Sequence, residues 1–394
     1  MRTSLSFAGP FSRPHRVFLA LPLLALLGAC DAVVLSPSGD VAMQQRDLVL
    51  ISTGLMLLII LPVMALTVLF AWRYRAANKE ARYEPDWDHS TQLELIIWAA
   101  PLLIIICLGA LTWVGTHILD PYRPLGRLDA SRPTQVLGKP LEVQVVALDW
   151  KWLFFYPEYG IATVNELAAP VDRPIMFRIT SSSVMNSFYI PALAGQIYAM
   201  PGMETKLHAV INKPGDYAGF SANYSGAGFS GMRFRFHGLS NADFGKWVSG
   251  VKSGKSALDR AAYLKLEQPS ENVPVQRFAT VEAGLYDAAL NMCVEPGKMC
   301  MNEMMHIDAK GGLGMAAVHN VRPLAYDKYA RRGSVLGTNA GYVAALCTPG
   351  DAKAMLAAKH DRPVPLPDPG GLIGAGLSRP ALLSSASTDA AKNL

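Results

Sequence analysis

The chain has 394 residues, of which 51% are hydrophobic and only 17% charged, with a mean hydropathy of +0.21. Its 36 basic against 31 acidic residues give a formal net charge of +5, too mild to mark a nucleic-acid binder. Five cysteines over this length exclude a small disulfide scaffold, and so apolar a composition excludes a disordered chain and implies a membrane.

Residues 1–29 form an address. Arg2, Arg13 and Arg16 precede an apolar run over 17–27, which ends in the small pair Gly28-Ala29. A basic region, a short apolar region and a small-residue cleavage site make a signal peptide. As a helix the apolar run spans only about 16 Å, too short for ~30 Å of hydrocarbon. Leu27-Gly28-Ala29-Cys30 is similar to a bacterial lipobox. That likeness implies a lipoprotein signal peptide over 1–29, lipidation of Cys30, and retention at the inner membrane through Asp31.

Two further apolar stretches are long enough to cross a bilayer. Residues 48–72 contain no Asp, Glu, Lys or Arg before Arg73, and residues 93–117 are similarly apolar after Glu94. Each exceeds the roughly 20 residues a span requires, which predicts transmembrane helices over 48–72 and 93–117. Trp72, Trp98 and Trp113 lie at or near the ends, where amphipathic rings meet the headgroups. The loop over 73–92 holds Arg73, Arg75, Lys79 and Arg82 and is cytoplasmic by the positive-inside rule, so the region after about residue 118 is periplasmic. Cys107, inside the second span, is expected as a buried apolar residue. Glu94 stands just inside the cytoplasmic end of that span. An ionisable group there is costly and marks a functional candidate, against the alternative of a carboxylate snorkelling to the interface.

From residue 141 the period changes to two. Strands are predicted over 141–145, 150–156, 175–180, 187–190, 205–211, 216–221 and 232–236, punctuated by turns such as Ala169-Pro170 and Asn212-Lys213-Pro214-Gly215. This predicts a periplasmic β-sandwich over 135–240. Helical periodicity follows over 241–251, 256–266 (with Ser256 as N-cap) and 283–292, giving a small helical C-terminal domain over 241–309. Residues 310–394, rich in Gly, Ala and Pro, read as a low-complexity, partly disordered extension.

A signal peptide, a two-helix transmembrane hairpin and an exported β-sandwich together resemble subunit II of the haem–copper terminal oxidases. The segment 184–191, Val-Met-Asn-Ser-Phe-Tyr-Ile-Pro, looks like the strand that brings a histidine to the dinuclear copper centre of cytochrome c oxidases. The remaining ligands there follow as Cys-x3-Cys-x3-His-x2-Met, and residues 221–232 keep that spacing without the ligands. Asn186 stands for the first histidine, Ser221 and Ser225 for the cysteines, Asn223 for a glutamate that lends its carbonyl, and Phe229 for the second histidine. Only Met232 keeps its type. Thiolates must bridge such a centre, and hydroxyls cannot replace them, so no metal is expected at these degenerate positions.

Within that superfamily the copper-free version is similar to subunit II of cytochrome o-type ubiquinol oxidases, on Trp150-Lys151-Trp152, the segment 160–166 and the run 224–232. The resemblance covers roughly residues 20–290. It implies a membrane α plus all-β fold, with a cupredoxin-like sandwich after the hairpin and a small C-terminal helical extension. It implies a non-redox subunit of a proton-translocating complex that oxidises ubiquinol and reduces O2 to water, with no catalytic residue or cofactor in this chain. Haems and copper belong to a partner subunit I; other oxidase subunits and membrane lipid complete the surroundings. Glu94 matches a glutamate at the mouth of a proton pathway. The aromatics over 150–156 are read as core and docking packing.

Cys293 and Cys300 flank a stretch with Met292, Met299, Met301, Met304, Met305 and His306. An oxidising periplasm favours a Cys293–Cys300 disulfide, with Cys347 as a competing partner and a soft-ligand Cu(I) site as the other reading. The rival function is therefore a membrane-anchored periplasmic copper-handling protein that uses residues 292–306.

Overall fold

The computed structural model describes residues 32–82, 84–133 and 139–312, together with two short strands, Val321–Pro323 and Gly341–Val343. The signal peptide, Cys30, Asp31, Cys347 and most of the expected low-complexity extension lie outside the described residues. Two helices open the fold, α1 (Asp40–Arg73) and α2 (Thr91–Ile118), with mean hydropathies of 2.6 and 2.5 over their most apolar windows. Apart from a few residues where the helices touch, such as Leu48 against Gly115 and the buried Ile104, their apolar side chains are exposed: Leu95 is 71% and Trp98 77% exposed. Hydrocarbon or partner helices must cover such a surface. Cys107 belongs to it, exposed rather than buried, because it faces away from the packed part of the chain.

α1 begins at Asp40, about two turns before the apolar run. Those turns carry Gln44, Gln45, Arg46 and Asp47 and pack on the sandwich instead of crossing lipid, with Asp40, Val41 and Ala42 buried. Arg127 grips Asp40 with both branches of its guanidinium, Nε to Oδ2 at 2.9 Å and Nη2 to Oδ1 at 3.1 Å, and Gln44 donates to Oδ2 at 2.7 Å. Gly39 bridges to Ile211 just before the helix. The span is thus an extension of the periplasmic domain, not a tether to it.

A small ribbon, β1 (Arg127–Asp129) with β2 (Arg132–Pro133), leads into the sandwich. One sheet has six strands. They are β3 (Leu141–Leu148), β4 (Lys151–Tyr156), β5 (Ile161–Val164), β7 (Ile175–Ser181), β10 (Thr205–Ala209) and β14 (Gln276–Phe278), in the order β10-β7-β3-β4-β5-β14. The facing sheet has five, β6 (Glu166–Pro170), β8 (Asn186–Tyr189), β9 (Ile197–Ala199), β11 (Gly215–Ser221) and β12 (Arg233–Leu239), in the order β6-β12-β11-β8-β9. Aromatic side chains fill the space between them. Trp152 meets Phe188 and Phe234 edge-on at 5.4 and 5.7 Å, while those two phenyls stack at 5.5 Å. Ala169-Pro170, expected as a turn, ends β6, which runs parallel to β12. Strand β12 alternates exposed Arg233 and Arg235 with buried Phe234 and Phe236, so one of its faces is wet.

After β12 the chain first packs Phe244, Val248 and Val251 into the core between the sheets, and residues 257–294 then cover the outer face of the six-stranded sheet. This part of the chain forms α3 (Asn241–Lys252), β13 (Ala257–Leu258), α4 (Arg260–Glu267), β14, β15 (Thr280–Val281), α5 (Leu285–Leu290) and α6 (Met301–Asp308). Asp259, not Ser256, caps α4, accepting from Ala262 N at 2.8 Å, because Ala257–Leu258 is drawn into a parallel pair with Thr280–Val281. Leu258, Tyr263, Phe278, Leu285, Tyr286 and Val294 bury Val146, Leu148, Leu153 and Phe155 from that side. Strand β4 is therefore buried on both faces along its whole length.

Tyr156 shows how tightly this core is bonded. Its hydroxyl donates to Ala168 O at 3.0 Å and accepts from Ala168 N at 2.8 Å, joining the two sheets, and burial raises its pKa. Tyr156→Phe leaves both backbone groups of Ala168 without that partner and should cost about 1–3 kcal/mol. A melting temperature equal to that of the parent would show that the hydroxyl contributes nothing.

Candidate functional site

The ligand-spaced positions gather at one end of the five-stranded sheet. Asn186 opens β8 and Ser221 closes β11, its antiparallel neighbour, and both are buried. Ser221 Oγ lies 3.2 Å from Asn186 Oδ1 and 3.2 Å from the Asn223 carbonyl, and accepts from Ser187 N at 3.4 Å. Asn186 Nδ2 donates to Val184 O at 3.1 Å, and Asn223 Nδ2 to Met185 O at 3.1 Å. Ser225 Oγ rests 4.0 Å from the sulfur of the fully buried Met232, whose carbonyl accepts from Ser221 N. Phe229 packs edge-on to the exposed Tyr224 at 5.6 Å.

Trp150 closes the loop from above. It sits outside β4 in a left-handed turn (φ 64°), and its indole Nε1 donates to Ser225 O at 3.0 Å. The ring lies so close over Gly228 that any side chain there would collide with it. Asn186, Ser221, Asn223, Ser225 and Met232 thus form one hydrogen-bonded plug, with Phe229 at its rim. Its hydrogen bonds run among these residues and to the backbone of Val184, Met185 and Ser187. None of the side chains is a thiol or an imidazole.

Glu94 lies at the opposite end of the molecule, in the first turn of α2 after Ser90. Its carboxylate is exposed and 2.8 Å from His89 Nδ1, while His89 Nε2 is 3.1 Å from Thr91 Oγ1. The helix N-terminus adds a favourable field for the carboxylate. His89 escaped the sequence reading because it belongs to the loop; its place five residues before Glu94, at the edge of an N-cap, was the available signal. The pair can exchange a proton between a carboxylate and an imidazole in one contact, at the side the charge bias assigns to the cytoplasm.

Two buried charges were also missed. Lys151, in β4, is nearly fully buried, and its Nζ donates to Asp149 O at 3.1 Å, Gln268 O at 2.9 Å and Ser270 Oγ at 2.7 Å. Burial pulls its pKa down to about 8. Glu166 accepts two bonds from Arg277, both 2.7 Å, and lies 3.5 Å from His237 Nε2. Both sites tie the sandwich to the segment that covers it. Cys293 and Cys300 are joined by a disulfide in that same segment.

Comparison with known proteins agrees with this geometry. The family described as "Cytochrome C oxidase subunit II, periplasmic domain" matches residues 158–237, and the "COX Aromatic Rich Motif" matches residues 252–297, the stretch that covers the six-stranded sheet. Two apolar spans, a cupredoxin-like sandwich and that aromatic-rich cover define a subunit II of the terminal oxidases. Among similar proteins, the cytochrome bo(3) ubiquinol oxidase subunit 2 of Pseudomonas putida is 54% identical over 269 residues, 68% of this chain and 83% of that one. The Pseudomonas aeruginosa protein of the same name is 48% identical over 77% of this chain and 86% of its own length. The ubiquinol oxidase subunit 2 of Acetobacter aceti is 52% identical over 66% and 83%. The chain belongs to the ubiquinol oxidase subunit 2 family. It is a membrane-anchored subunit of an oxidoreductase complex whose other subunits are its partners.

Proposed function

We propose that this chain is the non-redox subunit II of a proton-translocating oxidase that oxidises ubiquinol and reduces O2 to water. The observation that carries this reading is the plug at the ligand-spaced positions. A dinuclear copper centre needs two bridging thiolates and two imidazoles, and Ser221, Ser225, Asn186 and Phe229 supply neither. The donor set does not fit that centre, and no electron is routed through this chain. Electrons pass from a lipid-soluble quinol directly to haems and copper in subunit I. The chain's own work is assembly, cover for the periplasmic face of its partner, and proton entry at Glu94 with His89 beside it. Lipidation of Cys30 adds a second attachment to the inner membrane. A free-standing copper-handling role for residues 292–306 does not account for the division of the fold into span, sandwich and aromatic-rich cover.

The test is the electron donor. The assembled complex should consume oxygen with ubiquinol and fail to do so with reduced cytochrome c. Rapid oxygen uptake on reduced cytochrome c would overturn the reading.

A further inference from the structure

Residues 200–203, Met-Pro-Gly-Met, form a tight turn in which Met203 N donates to Met200 O at 3.3 Å and Gly202 takes φ 70°. Pro followed by Gly at positive φ is the chemistry of a type II turn. Two thioethers converge on that glycine. Met301 Sδ lies 2.5 Å and Met292 Sδ 3.7 Å from the point where a side chain on Gly202 would begin. Only glycine leaves this space open.

Two independent features hold the sulfurs there. The disulfide joins Cys293 to Cys300, the immediate neighbours of Met292 and Met301, and Met301 N donates to Asn291 O at 2.9 Å, so the two methionines are kept side by side. Met292 also occupies a left-handed position, φ 56°, directly after α5. There Met292 N donates to Ala289 O at 3.1 Å and Cys293 N to Ala288 O at 2.9 Å, the bonding of a helix stop that favours glycine. A long thioether side chain has taken a place that backbone geometry reserves for a residue without one. Met200, Met292 and Met301 are half-buried and Met203 is 55% exposed, so the cluster opens onto solvent and does not belong to the core.

We propose that Met292 and Met301, with Met200 and Met203 of the facing turn, form a surface site for a soft monovalent metal ion, Cu(I) in the periplasm. Thioether sulfur selects such ions over the hard cations that oxygen ligands prefer. Binding is coordination alone, with no change of oxidation state. The site lies between the turn after β9 and the end of the covering segment; it shares no residue with the plug, although Met200 follows Ala199, the strand partner of Asn186. It stands or falls independently of which donor the oxidase uses.

The experiment is methionine footprinting of the intact, detergent-solubilised oxidase with limiting hydrogen peroxide, in the presence and absence of Ag⁺ as a closed-shell stand-in. Ag⁺ should lower sulfoxide formation at Met292 and Met301 several-fold while leaving the exposed Met185 unchanged. The double variant Met292→Leu, Met301→Leu keeps the apolar volume and should retain about one fewer Ag⁺ per complex after desalting. Equal oxidation with and without Ag⁺ overturns the site, as does equal Ag⁺ in parent and variant. Protection that extends to Met185 marks general adsorption and overturns it too. Should the variant fail to assemble, the footprint on the parent decides.

Discussion

Glu94→Gln is expected to slow quinol-driven oxygen uptake by the assembled oxidase by roughly a hundredfold while leaving its assembly and haem spectrum unchanged, the low end of what a positioned proton-transfer group contributes. Glutamine has the size of the native side chain and can still meet His89 Nδ1, 2.8 Å away in the parent, but it cannot carry a proton. A purely structural carboxylate would therefore survive the change. On the proposed reading the exposed pair would collect protons from bulk water; Thr91 Oγ1 lies 3.1 Å from the far side of the imidazole. His89→Gln should slow turnover less, since water can replace the imidazole as donor to an exposed carboxylate. Oxygen uptake in Glu94→Gln equal to that of the parent would reduce the residue to scaffolding.

How far this site could be read from the sequence depends on whether its signal is local. Glu94 was legible because a carboxylate inside an apolar run is costly wherever the run folds. The plug was legible because spacing in the loop over 221–232 is kept while the ligand types are not. Strands with one wet face, such as β12, announced themselves by alternation. β5 and β6 did not: every residue of Ile161–Val164 and Glu166–Pro170 is buried, so no period of two exists to be seen. The reason lies elsewhere in the chain: residues 257–294 cover the outer face of β5 and add β14 beside it, while Arg277 of β14 reaches Glu166 at the start of β6. The first turns of α1 were missed for the same cause. Asp40 is 2% exposed because Arg127, 87 residues later, neutralises it, and polarity alone placed the start of the helix at the edge of the apolar run.

Lys151 is the sharpest case of a non-local term. A lysine between two tryptophans in a strand that is buried on both faces violates the pattern of the strand, and its ammonium is tolerated only because Gln268 and Ser270 bring acceptors to it from the covering segment. Three acceptors satisfy its three N–H bonds, yet loss of hydration still dominates and holds the pKa near 8 against an ordinary 10.5.

The sign of the consequence follows. Between pH 8 and 10 the unfolded chain keeps a proton that the folded chain has released, so stability rises with pH in that window. Below pH 8 both states are protonated and the desolvation cost is felt in full. The gain from pH 8 to 10 is about 2 kcal/mol, or roughly thirtyfold in an opening equilibrium. Above pH 10 the buried hydroxyls of Tyr156, Tyr263 and Tyr286, held protonated by burial, act in the opposite sense. Amide hydrogen exchange in Lys151–Tyr156 and Arg260–Glu267, corrected for the intrinsic rate, should therefore show protection that climbs from pH 8 to 10 in the parent relative to Lys151→Met, in which only the tyrosines' downward drift remains. A climb of equal size in Lys151→Met would assign the effect to another group and leave Lys151 an ordinary charged lysine.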